Sequence, residues 1–442
     1  MRVYSFPRGG FSFEDPAVPP RDSSVTAFLP NLSIIPLTQQ SGGRAYPLVT
    51  VGDPVREGML IGRGQGMGST NVHATVPGKV VDAVSWKTAD GQTDEALVIR
   101  MEGSFEKLGK QEDIFPWMGL SPYELQHLVS EYGLVEMEGS GRPLSDIVSG
   151  FRSSLEPLTL VVRCVFDDPW LAADYVLCRE RPGAVVEGSV IAATMVSAQR
   201  IVFAFSQEEK DLGNLFLAEA GNYGISASLV LTGSRYPQRN RRELELALRS
   251  YEKRDSVALD SLVMLGPATL AAVHDAVKFK RPILDRYVTV GGSAVRHPQV
   301  MKVRIGTRIG DVFAECGGFT EKPKRIGTGS PLLGRKVVDL DEPIVKTSFA
   351  VFAILKNQSG ISAPQNCIGC GECRMVCPVG LDPEELFKKI EGGNFRSPVG
   401  DRPGECHGCG CCDVVCPSHL PLSSVILNAA EKGVLKNAEY PA

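Results

Sequence analysis

Two cysteine runs near the C-terminus constrain this chain most. Cys367-Ile-Gly-Cys370-Gly-Glu-Cys373-Arg-Met-Val-Cys377-Pro378 reads C-x2-C-x2-C-x3-C-P. Cys406-His-Gly-Cys409-Gly-Cys411-Cys412-Asp-Val-Val-Cys416-Pro417 reads the same. Three thiolates at this spacing can cap three irons of one cubane, and the proline then turns the chain away. The second copy begins 39 residues after the first, and the match extends past the cysteines. Gly369 aligns with Gly408, Gly371 with Gly410, Val376 with Val415 and Leu381 with Leu420. This is an internal duplication. A pair of structural zinc sites is the alternative. Zinc asks for two separated C-x2-C pairs, and it gives no reason for the third Cys, the proline or the repeat.

The spacing is similar to that of two-cluster bacterial ferredoxins, in which the fourth Cys of each run ligates the other cluster. The similarity implies two [4Fe–4S] clusters. One would be held by Cys367, Cys370, Cys373 and Cys416, the other by Cys406, Cys409, Cys412 and Cys377. Cys411 aligns with Glu372, outside the duplicated register, and reads as a spare thiol. His407 reads as a polar neighbour.

The other cysteines, Cys164, Cys178 and Cys316, are scattered, which fits free thiols in a reducing compartment and not a disulfide framework. A length of 442 residues predicts about three domains. A net charge of −4 gives no basic footprint for nucleic acid. Met1–Gly10 is polar and carries Arg2 and Arg8, unlike a signal peptide. No stretch approaches about 18 consecutive apolar residues, so none reads as a membrane span.

Residues 1–30 are rich in Pro and Gly and read as an extended arm. Short strands with turns follow to about Met101. Gly52-Asp53-Pro54-Val-Arg-Glu-Gly58 has the turn of lipoyl- and biotinyl-like half barrels, with Val72–Val80 as hairpin partner. The hairpin tip is His73-Ala74-Thr75-Val76 and lacks the modifiable Lys of carrier proteins. His73 reads as buried and hydrogen-bonded. Ser121–Tyr132 predicts a helix with Ser121 as N-cap and Pro122 at N1. The apolar run Leu158–Phe166 predicts a buried parallel strand. Helical Ala172–Cys178 and Val190–Val196, strand Arg200–Phe205, helix Glu208–Ala220 and strand Ser226–Thr232 continue an open α/β pattern. Val288–Gly318 reads as β-rich, and Asp341–Ile354 as a closing strand pair. In the cysteine region, Asp382 caps a helix that starts at Pro383 and ends at Gly392-Gly393. A second helix runs from Leu422 to Lys432 and ends at Gly433.

Clusters at one end, a half barrel at the other and an α/β domain between them resemble the RnfC family, the peripheral cytoplasmic subunit of the Rnf ion-translocating electron transport complex. The resemblance includes Phe6-Pro-Arg-Gly9-Gly10 and Ile35-Pro36-Leu37-Thr-Gln-Gln40-Ser-Gly42. It also includes a β-grasp module at Val288–Gly318, with Gly306-Thr307 at its core. The fold class expected is multidomain α/β and β. It comprises an extended arm at 1–30, a lipoyl/biotinyl-like barrel-sandwich domain at 31–115 and an α/β domain at 116–285 related to the complex I flavin subunit. A β-grasp domain with closing strands follows at 286–360, then an α-helical ferredoxin with two [4Fe–4S] clusters at 361–442. The implied partners are other membrane-embedded and peripheral Rnf-type subunits, with NADH or a small carrier such as ferredoxin or flavodoxin. The implied location is peripheral, on the cytoplasmic face of the inner (plasma) membrane.

In the family the α/β domain takes electrons from NADH through FMN and carries a G-G-A-G-F-P-T loop. Here the match is Glu138-Gly139-Ser140-Gly141-Arg142-Pro143-Leu144. The second family stretch, N-x-x-E-C-E-P, corresponds to Arg163–Pro169 and keeps its last carboxylate as Asp168. Gly139, Gly141 and Asp168 are what remains of an FMN/NADH site. Glu138 puts charge and bulk where a phosphate belongs. The expectation is therefore a domain retained as scaffold without FMN, the alternative being a remodelled site in which Arg142 pairs with a phosphate. The leading function is an electron relay through two clusters in an ion-translocating complex, with no acid–base or nucleophilic constellation in the chain. The alternatives are an NADH-oxidising flavoprotein subunit and the iron–sulfur subunit of a soluble dehydrogenase.

Overall fold

A computed structural model describes residues 2–13, 19–39, 42–87, 93–105, 113–138, 141–151, 156–355, 363–392 and 403–438. Among them the first strands are β1 (Val3–Tyr4), β2 (Ser24–Thr26), β3 (Leu32–Pro36), β4 (Tyr46–Pro47), β5 (Pro54–Val55) and β6 (Leu60–Arg63). Next come β7 (Val72–His73), β8 (Gly78–Lys87), β9 (Thr93–Met101), β10 (Leu158–Cys164), β11 (Arg200–Ser206) and β12 (Ser226–Thr232). The last are β13 (Ser261–Leu265), β14 (Asp285–Gly291), β15 (Gln299–Arg304), β16 (Arg325–Thr328), β17 (Arg335–Lys336) and β18 (Ala350–Ile354). The first helices are α1 (Pro122–Glu131), α2 (Leu144–Phe151), α3 (Ala172–Glu180), α4 (Pro182–Val196), α5 (Lys210–Ala220) and α6 (Arg241–Asp255). They continue with α7 (Pro267–Lys278), α8 (Ile309–Glu315), α9 (Glu372–Met375), α10 (Pro383–Glu391), α11 (Cys411–Val414) and α12 (Leu422–Ala438).

The central sheet runs β1-β12-β11-β10-β13, and all its pairings are parallel. Its strands β10, β11 and β13 read as near-continuous apolar runs because both faces are covered. Leu160 and Val162 of β10 pack under Val186, Val190 and Leu270 of α4 and α7, while Val161 faces Leu244, Ala247 and Leu248 of α6. The half barrel is two sheets, β3-β9-β8-β5 and β4-β6-β7, closed over Ile35, Ile61, Val80 and Ile99. A mixed sheet, β17-β16-β18-β14-β15-β2, carries α8 through Ile309, Val312 and Phe313. Helices α9 to α12 form the cysteine-bearing unit, with Leu386 and Ile426 packed together.

Several elements depart from the sequence reading. The segment 1–30 is extended, but its described parts are paired: β1 is the edge strand beside β12, and β2 pairs with β15. Helix α4 starts at Pro182, eight residues before Val190, because Gly183 to Ser189 are small or β-branched apolar residues broken only by Glu187, which masks the helical period. Helix α2 occupies part of the glycine-bearing stretch 133–150. Within the β-rich unit, Ile309–Glu315 is helical. Of the closing pair expected over Asp341–Ile354, one strand forms, β18, and its antiparallel partner is β16. Gly433 does not end the last helix, which continues to Ala438. The expected stop at Gly392 holds, while Gly393 lies outside the described residues. Among the described residues no helix is long and apolar enough to cross a membrane.

The hairpin tip of the half barrel is buried rather than presented. Ala74, Thr75 and Val76 are at most 1% exposed, and Thr75 Oγ1 donates to the Ile305 carbonyl at 2.7 Å. Strand β7 belongs to one sheet and β8 to the other, so the turn between them closes the barrel. His73 is buried as expected, but its Nδ1 has no hydrogen-bond partner among the described residues; its ring stacks on Tyr132, and burial pushes its pKa down to about 3.

Candidate functional site

The two cysteine runs fold as near copies. Gly371 and Gly410 cap α9 and α11 with φ of 76° and 74°, a left-handed turn that aligns the two helices behind their cysteines. One cavity in this unit is lined by Cys367, Cys370, Cys373 and Cys416, the four thiols expected around one cluster. Phe387, Leu420 and Leu422 wall it. Cys377, Cys406, Cys409 and Cys412 lie close enough to act on one another's charge. The Leu381 N–H donates to Cys377 Sγ at 3.3 Å. Among the described residues no three His, Cys, Asp or Glu side chains converge as a single metal ion would require. Four thiols around an apolar-walled cavity fit a larger group, the cubane that the spacing implies.

Cys411 is fully buried, and its thiol hydrogen-bonds to Cys409. That bond pulls the Cys409 pKa down and pushes that of Cys411 up. His407 Nε2 lies 3.0 Å from a Glu243 carboxylate that is fully buried in α6. The imidazole pKa is raised, because this partner outweighs the cost of burial.

The cysteine unit is docked on the rest of the molecule at several points. Gly10 N donates to the Val376 carbonyl at 2.8 Å, and the Tyr236 hydroxyl donates to the Cys409 carbonyl at 2.8 Å. Asn240 Nδ2 lies 3.1 Å from His407 Nδ1. Tyr236, Asn240 and Leu333 also line a cavity of about 420 Å³ between the central sheet and the mixed sheet. The second set of thiols therefore lies beside this cavity.

Of the three residues expected to remain from an FMN/NADH site, Asp168 lines this cavity. Glu138, Asp167 and Asp168 line it. Gly139 lies outside the described residues; Gly141 has φ 64°, and Glu136 N donates to the Arg142 carbonyl at 2.9 Å. Asp168 Oδ1 accepts from Trp170 N at 2.9 Å and so caps the turn before α3. Asp167 accepts from Arg239 N at 2.9 Å, and burial pushes its pKa up to about 7. Glu138 turns its carboxylate onto α7: Oε1 accepts from Thr269 N at 2.8 Å and Oε2 from Thr269 Oγ1 at 2.6 Å. Gly266 lies so close that a Cβ there would sit 2.3 Å from Glu138 Cδ. The helix start that an FMN phosphate could use is filled by this side chain, so the residues at this position do not fit such a phosphate. Sequence reasoning missed Thr269, Tyr236, Arg239 and Arg286. The signal for Thr269 was there: the apolar run Ser261–Leu265 followed by Gly266-Pro267 marks a strand leading into a helix with Pro at N1.

Comparison with known proteins fits this architecture. The RnfC barrel sandwich hybrid domain matches residues 9–104, the Nuo51 FMN-binding domain 129–275 and the SLBB domain 287–336. The chain is 30% identical over 370 residues to a subunit of the ion-translocating oxidoreductase complex of Rhodobacter capsulatus, covering 83% of this chain and 71% of that one. It is 29% identical to a subunit of the proton-translocating ferredoxin:NAD(+) oxidoreductase complex of Clostridium ljungdahlii, covering 81% and 78%. To a subunit of the Na(+)-translocating ferredoxin:NAD(+) oxidoreductase complex of Acetobacterium woodii it is 26% identical, covering 83% and 84%. The chain belongs to the RnfC family, whose members are subunits of ion-translocating oxidoreductase complexes. An NAD+-reducing [NiFe]-hydrogenase in its air-oxidized state shares the fold at a TM-score of 0.51 and 14% identity, covering 72% of this chain and 62% of that one.

Proposed function

We propose that this chain is the electron-relay subunit of a membrane-bound Rnf-type complex that couples electron transport to ion translocation. The observation that carries the reading is the cavity lined by Cys367, Cys370, Cys373 and Cys416, drawn from both halves of the duplication. These residues would hold one [4Fe–4S] cluster, and Cys377, Cys406, Cys409 and Cys412 the other. Such clusters supply one-electron transfer at potentials set by exposure and by hydrogen bonds to sulfur. The chain's residues differ between the two sets. Cys370 is exposed, whereas the second set is covered by Tyr236, Asn240 and the Gly10 segment. The reading includes the division into units at 31–115, 116–285, 286–360 and 361–442. It includes docking on sister subunits at the cytoplasmic face of the membrane. The α/β unit serves as scaffold without FMN, and electrons arrive from a small carrier such as ferredoxin or flavodoxin.

A second reading is an NADH-oxidising flavoprotein subunit, favoured by the match to an FMN-binding domain and by the 420 Å³ cavity. One experiment separates the two. The anaerobically purified protein is mixed with reduced ferredoxin or with NADH, with and without added FMN. Reduction of its visible absorption by ferredoxin, with no NADH-dependent reduction of ferricyanide, is the expected result. Stoichiometric acid-released flavin with rapid NADH turnover would establish the flavoprotein instead.

A further inference from the structure

The Glu138 carboxylate lies in surroundings built for an anion. It takes two hydrogen bonds at the N-terminus of α7, a helix of 12 residues whose first-turn N–H groups carry partial positive charge. Two buried guanidinium groups, Arg239 and Arg286, lie within electrostatic reach of the Asp174 carboxylate first and of Glu138 next. Arg286 is 2% exposed and donates to the carbonyls of Met137 and Ser348, at 2.8 and 3.2 Å, which fixes it between the Glu138 loop and the mixed sheet. Arg239 donates to Asp174 at 2.8 Å. A helix start backed by two arginines and bordered by a bare Gly266 is chemistry that suits a phosphate. Here the chain supplies the anion itself.

We propose that Glu138 is a built-in substitute for a phosphate group, and that this one side chain keeps phosphorylated ligands out of the 420 Å³ cavity while the rest of the anion site stays assembled. The proposal rests on the reading of this subunit as a relay without flavin and names the residue responsible. It has two consequences. Removing the side chain should open the site, whereas removing only its charge should not, because a glutamine still fills the space and can still accept from Thr269.

The test is equilibrium binding of FMN, inorganic phosphate and riboflavin to the cluster-loaded full chain, as wild type, Glu138→Gly and Glu138→Gln. Flavin binding is read by fluorescence quenching and phosphate binding by calorimetry. Glu138→Gly is expected to bind FMN roughly tenfold or more tighter than wild type, the scale of one to two recovered charge-assisted hydrogen bonds. It should also gain phosphate binding, and riboflavin, which lacks the phosphate, should gain nothing. Glu138→Gln should stay like wild type. The proposal is overturned if folded Glu138→Gly gains no FMN affinity, if riboflavin gains as much as FMN, or if wild type already binds FMN as tightly as the variant. Should Glu138→Gly fail to fold, Glu138→Ser carries the same expectations, and the wild-type arm alone can still refute. Failure in the Glu138→Gly arm overturns the substitution proposal alone; FMN bound by wild type overturns the relay reading as well.

Discussion

Cys411 shows how a residue outside the repeat can still matter to its neighbours. Sequence register separates it from the ligand set, and the fold buries it completely with its thiol on Cys409. A hydrogen bond to a ligating sulfur tunes a cluster without holding it. Cys411→Ser keeps a donor of similar size, so both electron paramagnetic resonance signals of the reduced protein should persist at full intensity. Cys412→Ser removes an expected ligand, and one signal should vanish or convert to that of a three-iron cluster. Loss of a signal in the Cys411 variant would show that the ligand register is misassigned.

At the scale of elements, local chemistry was legible where it repeats or caps. Ser121, Pro122 and Glu124 announce α1 and form a full capping box, and Asp382 caps α10 by accepting from Glu385 N. Strands β10, β11 and β12 of the central sheet were legible from apolar runs, whereas β1 and β13 were not. What the sequence hid are contacts between distant elements, which leave no periodic trace. Lys346 is one. It is 3% exposed, and its ammonium donates to the carbonyls of Asn71 and Gly133, at 2.9 and 2.8 Å, tying the half barrel, the end of α1 and the loop before β18 together. Burial lowers its pKa from the ordinary 10.5 to about 7. Between these values the unfolded chain holds a proton that the folded chain has released, so this residue makes stability rise with pH from about 7 to about 10.5, by at most about 1.4 kcal/mol per pH unit. Below about 7 the cost of burying the charge is present in full. Urea melts of wild type and Lys346→Met at several pH values check this. The difference in stability between them should grow in favour of wild type as pH rises through that window. A difference independent of pH would mean that Lys346 keeps its proton in the folded state.

The whole molecule is a set of units held in register around one boundary. The N-terminal strand β1 completes the central sheet, and the Gly10 segment that follows reaches Val376 in the cysteine unit. Tyr236 joins the same unit to the 420 Å³ cavity. The order of the units was legible from short motifs. Their docking was not, because it rests on carbonyls, on Tyr236 and on Glu138, whose partners are set by the fold. The cavity depends on the same kind of contact: Glu138, which lines it, accepts from Thr269 at the start of α7. The central claim remains the pair of clusters built from the duplicated thiols. It is tested most directly by iron, acid-labile sulfide and zinc analysis of the anaerobically purified chain. About eight irons and eight sulfides per chain, four of each per cubane, are predicted; stoichiometric zinc with little iron would contradict the account.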